Sequence, residues 1–186
     1  MKLNSVCPHF VLIIYILSIT SSLYAAPDVV INQPIELAMA PRPPERKGRS
    51  TDGRFIDNGD GTISDIRTGL MWGKSDSYAD LGKCLDWNKS RNYVLGLTTG
   101  GHKDWRLPLV KELKGIYDES KTNKDFSGNK IYLDPIFASG GAYWYWTSEE
   151  AAACCARYVD FYGGFAYQDS RDYCSSGGVR PVRAGH

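Results

Sequence analysis

The stretch FIDNGDGTISDIRTGLMW, residues 55–72, sets three short apolar runs around two turn signals. Asn58-Gly59 and Asp60-Gly61 tolerate the positive φ that tight hairpins require, and Thr68-Gly69 turns the chain again before Leu70-Met71-Trp72. This spacing predicts two successive hairpins. The same cluster is rich in oxygen ligands, so a calcium site on Asp57, Asn58, Asp60 and Asp65 competes with that reading. An EF-hand loop places oxygen ligands at fixed positions around a central glycine. Setting Gly61 at that glycine puts Ile56 first, and setting Gly59 there puts Arg54 first. Neither register fits, and the hairpin reading leads.

Downstream, SYADLGKCLDWNKSRNYVLGL at 77–97 reads as a helix weakened by Gly82, with Leu81, Cys84 and Leu85 facing inward. Pro108 suits the first turn of a second helix, whose Leu109, Leu113, Ile116 and Tyr117 share an apolar face while Lys111, Glu112 and Lys114 stay solvated. Residues 118–142 read as a long surface excursion anchored at 131–133 and 136–137. The remainder is strand-like: YWYWTS at 143–148, ARYVDFYGG at 156–164, FAYQD at 165–169 and GVRPVRA at 178–184. In the first of these, alternation sends Tyr143 and Tyr145 one way and Trp144 and Trp146 the other. The fold class is α+β, with small twisted antiparallel sheets, two helices and long loops.

Upstream, a short positive start, an apolar run from Phe10 to Ile19 and a small-residue stretch ending at Ala25-Ala26 mark residues 1–25 as a signal peptide. Residues 26–50 read as a Pro/Arg-rich leader in which repeated proline denies the backbone regular hydrogen bonding. Residues 51–186 form the folded domain. Lys plus Arg number 22 against 21 Asp plus Glu, so net charge steers the chain toward neither nucleic acid nor membrane. The expected location is secreted or periplasmic.

Four cysteines follow the signal peptide: Cys84, Cys154, Cys155 and Cys174. An even count in an exported chain favours two disulfides, and no C-x-x-C spacing supports a thiolate metal site. A bond between neighbours Cys154 and Cys155 would demand strained backbone, and in a strand their side chains diverge. Cys84 and Cys174 are therefore expected to take one of them each.

With these blocks placed, the sequence resembles the DUF1566 family of bacterial exported and surface proteins, which includes the C-terminal domain of a Legionella collagen-like adhesin. DNGDGTISDIRTGLMW at 57–72, GGHKDWRLPLVKEL at 100–113, and the ending YWYWTS, YVDFYGG and GGVRPVRAG carry the resemblance over about residues 53–184. It implies a fold akin to C-type-lectin-like and formylglycine-generating-enzyme-like domains. The adhesin's collagen-like repeat is missing from this chain, so the trimerisation such a stalk provides is not implied.

Arg106 is expected to be held by a carboxylate at the helix entrance, with Asp104, Asp160 and Glu112 as candidates and structural duty for Asp104, Trp105, Arg106, Pro108 and Glu112. Arg157, Arg171, Arg180 and Arg183, with Trp144 and Trp146, are the candidates for a cationic, aromatic glycan-binding face. No catalytic residue is assigned: His102 is the sole well-placed imidazole, and no serine sits in a G-x-S-x-G elbow. The expected function is a carbohydrate-recognition or adhesion module for anionic polysaccharide or host glycans. The alternatives are an envelope-structural or protein-binding module, then a hydrolase or thiol-dependent enzyme.

Overall fold

In the computed structural model of the chain, residues 48–185 are described, and the expected signal peptide and almost all of the leader lie outside them. The two expected hairpins build the first sheet. Strand β1 (Gly48–Arg49) pairs with β2 (Phe55–Asp57), β2 with β3 (Thr62–Asp65), and β3 with β4 (Leu70–Gly73), all antiparallel. The sheet thus begins inside the stretch assigned to the leader. Between β2 and β3, Gly59 and Gly61 take φ of 83° and 89°, values a side chain would oppose.

The second turn is locked by Asp65. Its two oxygens accept Arg54 Nε at 2.9 Å and Nη2 at 2.5 Å, and the Arg67 N–H and Thr68 hydroxyl add to them. Burial opposes ionisation of Asp65, but the Arg54 fork and these donors win and hold its carboxyl below the ordinary value. A depressed carboxylate stabilises the fold above its unfolded pKa of about 4 and loses that contribution as pH falls through the lower folded value. Asp65→Asn is expected to cost about 1–3 kcal/mol at pH 7. It should also flatten the stability-versus-pH curve below about pH 4 in urea unfolding series.

The single helix expected over 77–97 is two. Helix α1 (Ser77–Leu81) ends at Gly82, whose φ of 65° closes a left-handed cap, and Asp86 starts α2 (Trp87–Gly96) by accepting the Lys89 N–H. A third helix, α3 (Val110–Ile116), follows Pro108, which lies just ahead of its first turn, and it buries Leu113 and Ile116. The excursion carries a two-stranded ribbon, β5 (Asn123–Lys124) with β6 (Lys130–Ile131). A three-stranded antiparallel sheet comes next, β7 (Trp144–Ala151), β8 (Cys155–Asp160) and β9 (Ala166–Ser170), in that order.

Alternation along β7 divides the core. Tyr145 joins Val159, Phe161, Leu113, Ile116 and Trp72 on one side. Trp144 and Trp146 join Trp87, Trp105 and Val179 on the other. Four of the five indoles donate to carbonyls, Trp87 to Thr147, Trp105 to Thr99, Trp144 to Ser175 and Trp146 to Leu85, so these large rings are buried without orphaning their N–H groups.

The last segment stitches the two sheets together. Strand β10 (Val182–Ala184) pairs with β4 and makes it internal to a five-stranded sheet. Just before it, Gly178 bridges to Tyr145 of β7, with Trp146 N to Gly178 O at 2.9 Å. A Cβ on Gly177 would lie 2.1 Å from the Trp144 ring, so only glycine lets this backbone pass.

The disulfides correct the expected pairing. Cys84 joins Cys174, and Cys154 joins Cys155. The argument from strand alternation did not apply, because residues 152–154 form the turn of the β7–β8 hairpin and only Cys155 belongs to a strand. Cys84 sits between α1 and α2, where Leu85 N donates to Gly177 O and Trp87 N to Arg171 O, bringing it beside Cys174.

Candidate functional site

The four candidate arginines do not share a face. Arg180 is fully buried at the seam between the sheets. Its Nη2 donates to Asp76 Oδ2 and to the Tyr145 hydroxyl, each at 2.9 Å, while Nη1 reaches the Gly73 and Lys74 carbonyls. Its guanidinium also lies over Phe137 and Tyr145. Burial disfavours the Arg180 cation, yet Tyr145 and Asp76 raise its pKa further. Arg183 is buried too, with Nε 2.7 Å from Asp104, whose carboxyl this contact lowers. Arg171 is bound to Glu150 at 2.5 Å and lies over the Trp87 ring. Of these four, Arg157 alone is exposed without a salt bridge.

Trp144 and Trp146 are likewise removed from any binding face by burial in the second core cluster. Trp105 is buried beside them. Arg106 forms a two-pronged pair with Glu112, at 2.8 and 2.7 Å, and Glu112 also accepts the Leu109 N–H at the start of α3. This fork fixes the entrance of the helix.

Nor do the acidic turn residues converge. Asp57 pairs with Lys74 and accepts the Gly59 N–H, Asn58 donates to Thr62 and Ser64, Asp60 accepts from Thr62, and Asp65 holds Arg54. No group of three or more His, Cys, Asp or Glu side chains able to hold a metal gathers among the described residues. Asp104 is committed to Arg183, so it does not orient His102, which lies edge-on to Trp105. A cavity of about 200 Å³ opens behind the first hairpin, walled by Trp105, Leu97 and Pro181 with Lys74, Ser75 and Asp80 among its polar residues. There the Tyr93 hydroxyl donates to Asp80.

What the structure does expose together is aromatic. Along β9 and its turns, Phe165 is 61% exposed, Tyr167 50%, and Tyr162 and Tyr173 39% each. These are ring faces held in place by their neighbours. Tyr167 lies opposite Tyr158 across the β8–β9 ladder with centroids 5.7 Å apart, and Phe165 is 6.4 Å from Tyr167. Tyr173 stacks on Trp144, and Tyr162 stacks on Tyr143 at 4.5 Å. The buried tryptophans thus serve as the backing of an aromatic surface whose outer members are tyrosine and phenylalanine.

A shallow depression of about 480 Å³ lies along this edge, lined by Arg157, Tyr158, Ala166, Tyr167 and Gln168. Arg157 and Gln168 are cross-strand partners, which sets a guanidinium beside a side-chain amide. Burial lifts the Asp160 carboxyl above its ordinary value even though it accepts the Tyr162 and Gly163 N–H groups. Sequence reasoning placed FAYQD as a strand and went no further. The signal was there, since Phe165 and Tyr167 fall two apart and so share one face.

None of the helices among the described residues is long and apolar enough to cross a membrane. A search of curated proteins finds no match to the chain. A family model described as the Lcl C-terminal domain matches residues 61–183, from the Asp-Gly turn to the seam arginine of β10, and the chain belongs to that family.

Proposed function

We propose that the domain is an exported adhesion module that holds anionic glycan along the β8–β9 edge. The observation that carries this reading is the depression at this edge, lined by Arg157, Tyr167 and Gln168, with the exposed rings of Phe165 and Tyr167 on one face of the sheet and the unpaired Arg157 guanidinium on the other. A glycan chain that crosses the β9 edge presents apolar C–H faces to Tyr167 and Phe165 on one side, and the planar Arg157 fork takes a carboxylate or sulfate on the other. Gln168 supplies a donor and an acceptor for hydroxyls. The two disulfides and the family support an exported setting, and the lectin-like arrangement implied by the sequence resemblance belongs to the same proposal.

A second reading, a protein-binding module, draws on one observation: β9 is an edge strand, and its outer backbone groups are open to pairing with an extended peptide. An array of neutral, carboxylated and sulfated glycans, probed at two salt concentrations with and without EDTA, separates the two. Selective binding that weakens with salt is expected for anionic glycan, because an exposed charge contact is screened over about 8 Å at physiological ionic strength. Arg157→Ala and Tyr167→Ala should each weaken binding about three- to tenfold, roughly 0.7–1.4 kcal/mol. Both variants should keep folding stability within about 0.5 kcal/mol. Glycan-independent capture of a single protein partner would favour the second reading.

A further inference from the structure

We propose that the Cys154–Cys155 pair is a site of thiol–disulfide exchange, opened by an external dithiol while Cys84–Cys174 stays closed. The pair sits at the tip of the β7–β8 hairpin, where Ala152, Ala153 and Cys154 are all exposed and the neighbouring side chains are methyl groups. The exposed turn leaves the pair open to the approach of a thiolate, and Ala152 turns the chain with a φ of 62°.

Access alone does not separate the two bonds, because Cys174 is exposed as well. What separates them is their relation to the fold. Cys84 and Cys174 are 90 residues apart, and closing that loop restricts the unfolded chain, so folding and this bond reinforce each other. Opening it must work against the stability of the whole domain. Cys154 and Cys155 are adjacent, their bond closes no loop of chain, and the unfolded state is scarcely restricted by it. The hairpin around them is held by other means. The β7–β8 ladder runs from Trp144 opposite Asp160 to Ala151 opposite Cys155, and Arg171 N donates to Cys154 O, none of which uses sulfur.

The reaction balances as a two-electron exchange. One thiolate of the dithiol attacks a sulfur of the pair, the S–S bond breaks, and the dithiol's second sulfur resolves the mixed disulfide. The dithiol leaves as its own disulfide, and Cys154 and Cys155 gain two electrons and two protons as thiols. Neighbouring thiols then suit a soft trivalent centre. With an arsine oxide two As–S bonds form, and the oxygen leaves as water with the two thiol protons. The site lies at the end of the β8–β9 edge, since Cys155 pairs with Ser170 and Arg157 follows two residues later, but its chemistry does not depend on what that edge binds.

The test is a dithiothreitol titration of the oxidised protein, quenched with acid, alkylated and mapped by peptide mass. Half-opening of Cys154–Cys155 is expected at a dithiothreitol concentration at least tenfold below that for Cys84–Cys174, with the near-ultraviolet circular dichroism unchanged at that point. Protein reduced to that point should be retained on immobilised phenylarsine oxide, and the Cys154→Ser/Cys155→Ser variant should pass through. Simultaneous opening, prior opening of Cys84–Cys174, or retention of the double variant would each overturn the assignment. The mapping on the unmodified sequence decides the matter even where the variant folds poorly.

Discussion

Arg180→Ala is expected to cost about 3–5 kcal/mol of folding stability, more than any change at the exposed edge. The guanidinium is fully buried, and its removal leaves Asp76 with Oδ2 held only by the Tyr145 hydroxyl. Asp76 is a junction in its own right: Oδ1 accepts the Tyr78 and Ala79 N–H groups that start α1 and the Ala142 N–H ahead of β7. The carbonyls of Gly73 and Lys74 lose the guanidinium in the same substitution, although Lys74 O keeps the Ala138 N–H. Breaking one partner of a buried pair leaves the other charge uncompensated, which is why the cost exceeds the net worth of the pair. Urea unfolding of Arg180→Ala beside Arg157→Ala makes the comparison. A loss below about 1 kcal/mol for Arg180→Ala would mean that the seam is held by packing and backbone pairing alone.

Cys84→Ser, with Cys174→Ser to avoid a free thiol, is the second large effect. Releasing a closure of 90 residues frees about 4–5 kcal/mol of unfolded-chain entropy. For a domain of this size the melting temperature should fall by roughly 10–20 °C. The folded form itself changes little, because backbone hydrogen bonds from Leu85 to Gly177 and from Trp87 to Arg171 hold the two segments together without the sulfurs. Calorimetry of the double variant under non-reducing conditions checks this. A drop of only a degree or two would mean that the denatured chain keeps these segments close even without the bond.

Much of the architecture was legible because it rests on short-range chemistry. Glycines beside Asn58 and Asp60 specify a hairpin almost regardless of context, and alternation in YWYWTS separated Tyr145 from Trp144 and Trp146 correctly. Helix termini were harder. Gly82 looked like a weak point in one helix, whereas the Asp86 cap three residues after Lys83 makes a second start competitive.

The arginine face failed for a different reason. Spacing gives relative direction only inside a regular strand, and residues 177–181 run between two sheets, so Arg180 is buried against one set of groups and Arg183 against another. Charge in the sequence suggested solvent, but buried carbonyls, a carboxylate and a phenol awaited Arg180. The vicinal disulfide was hidden because alternation was applied where no strand runs: the strand read at 156–164 left both cysteines outside it, and with Cys154 in the turn the period-two rule had no hold.

The seam formed by residues 177–184 also governs when the domain can complete itself. β10 meets β4 through Val182 and Trp72, a pairing that spans more than half of the chain, and Gly178 meets Tyr145 in the same passage. A chain emerging from its amino end can close its first hairpins early but has no fifth strand and no Arg180 for Asp76 until residues 178–184 arrive. Such high contact order slows folding and lengthens the time that Trp72, Trp144 and Trp146 remain uncovered. A domain built this way is kept open by its own topology until β10 is free to pair, and closes then.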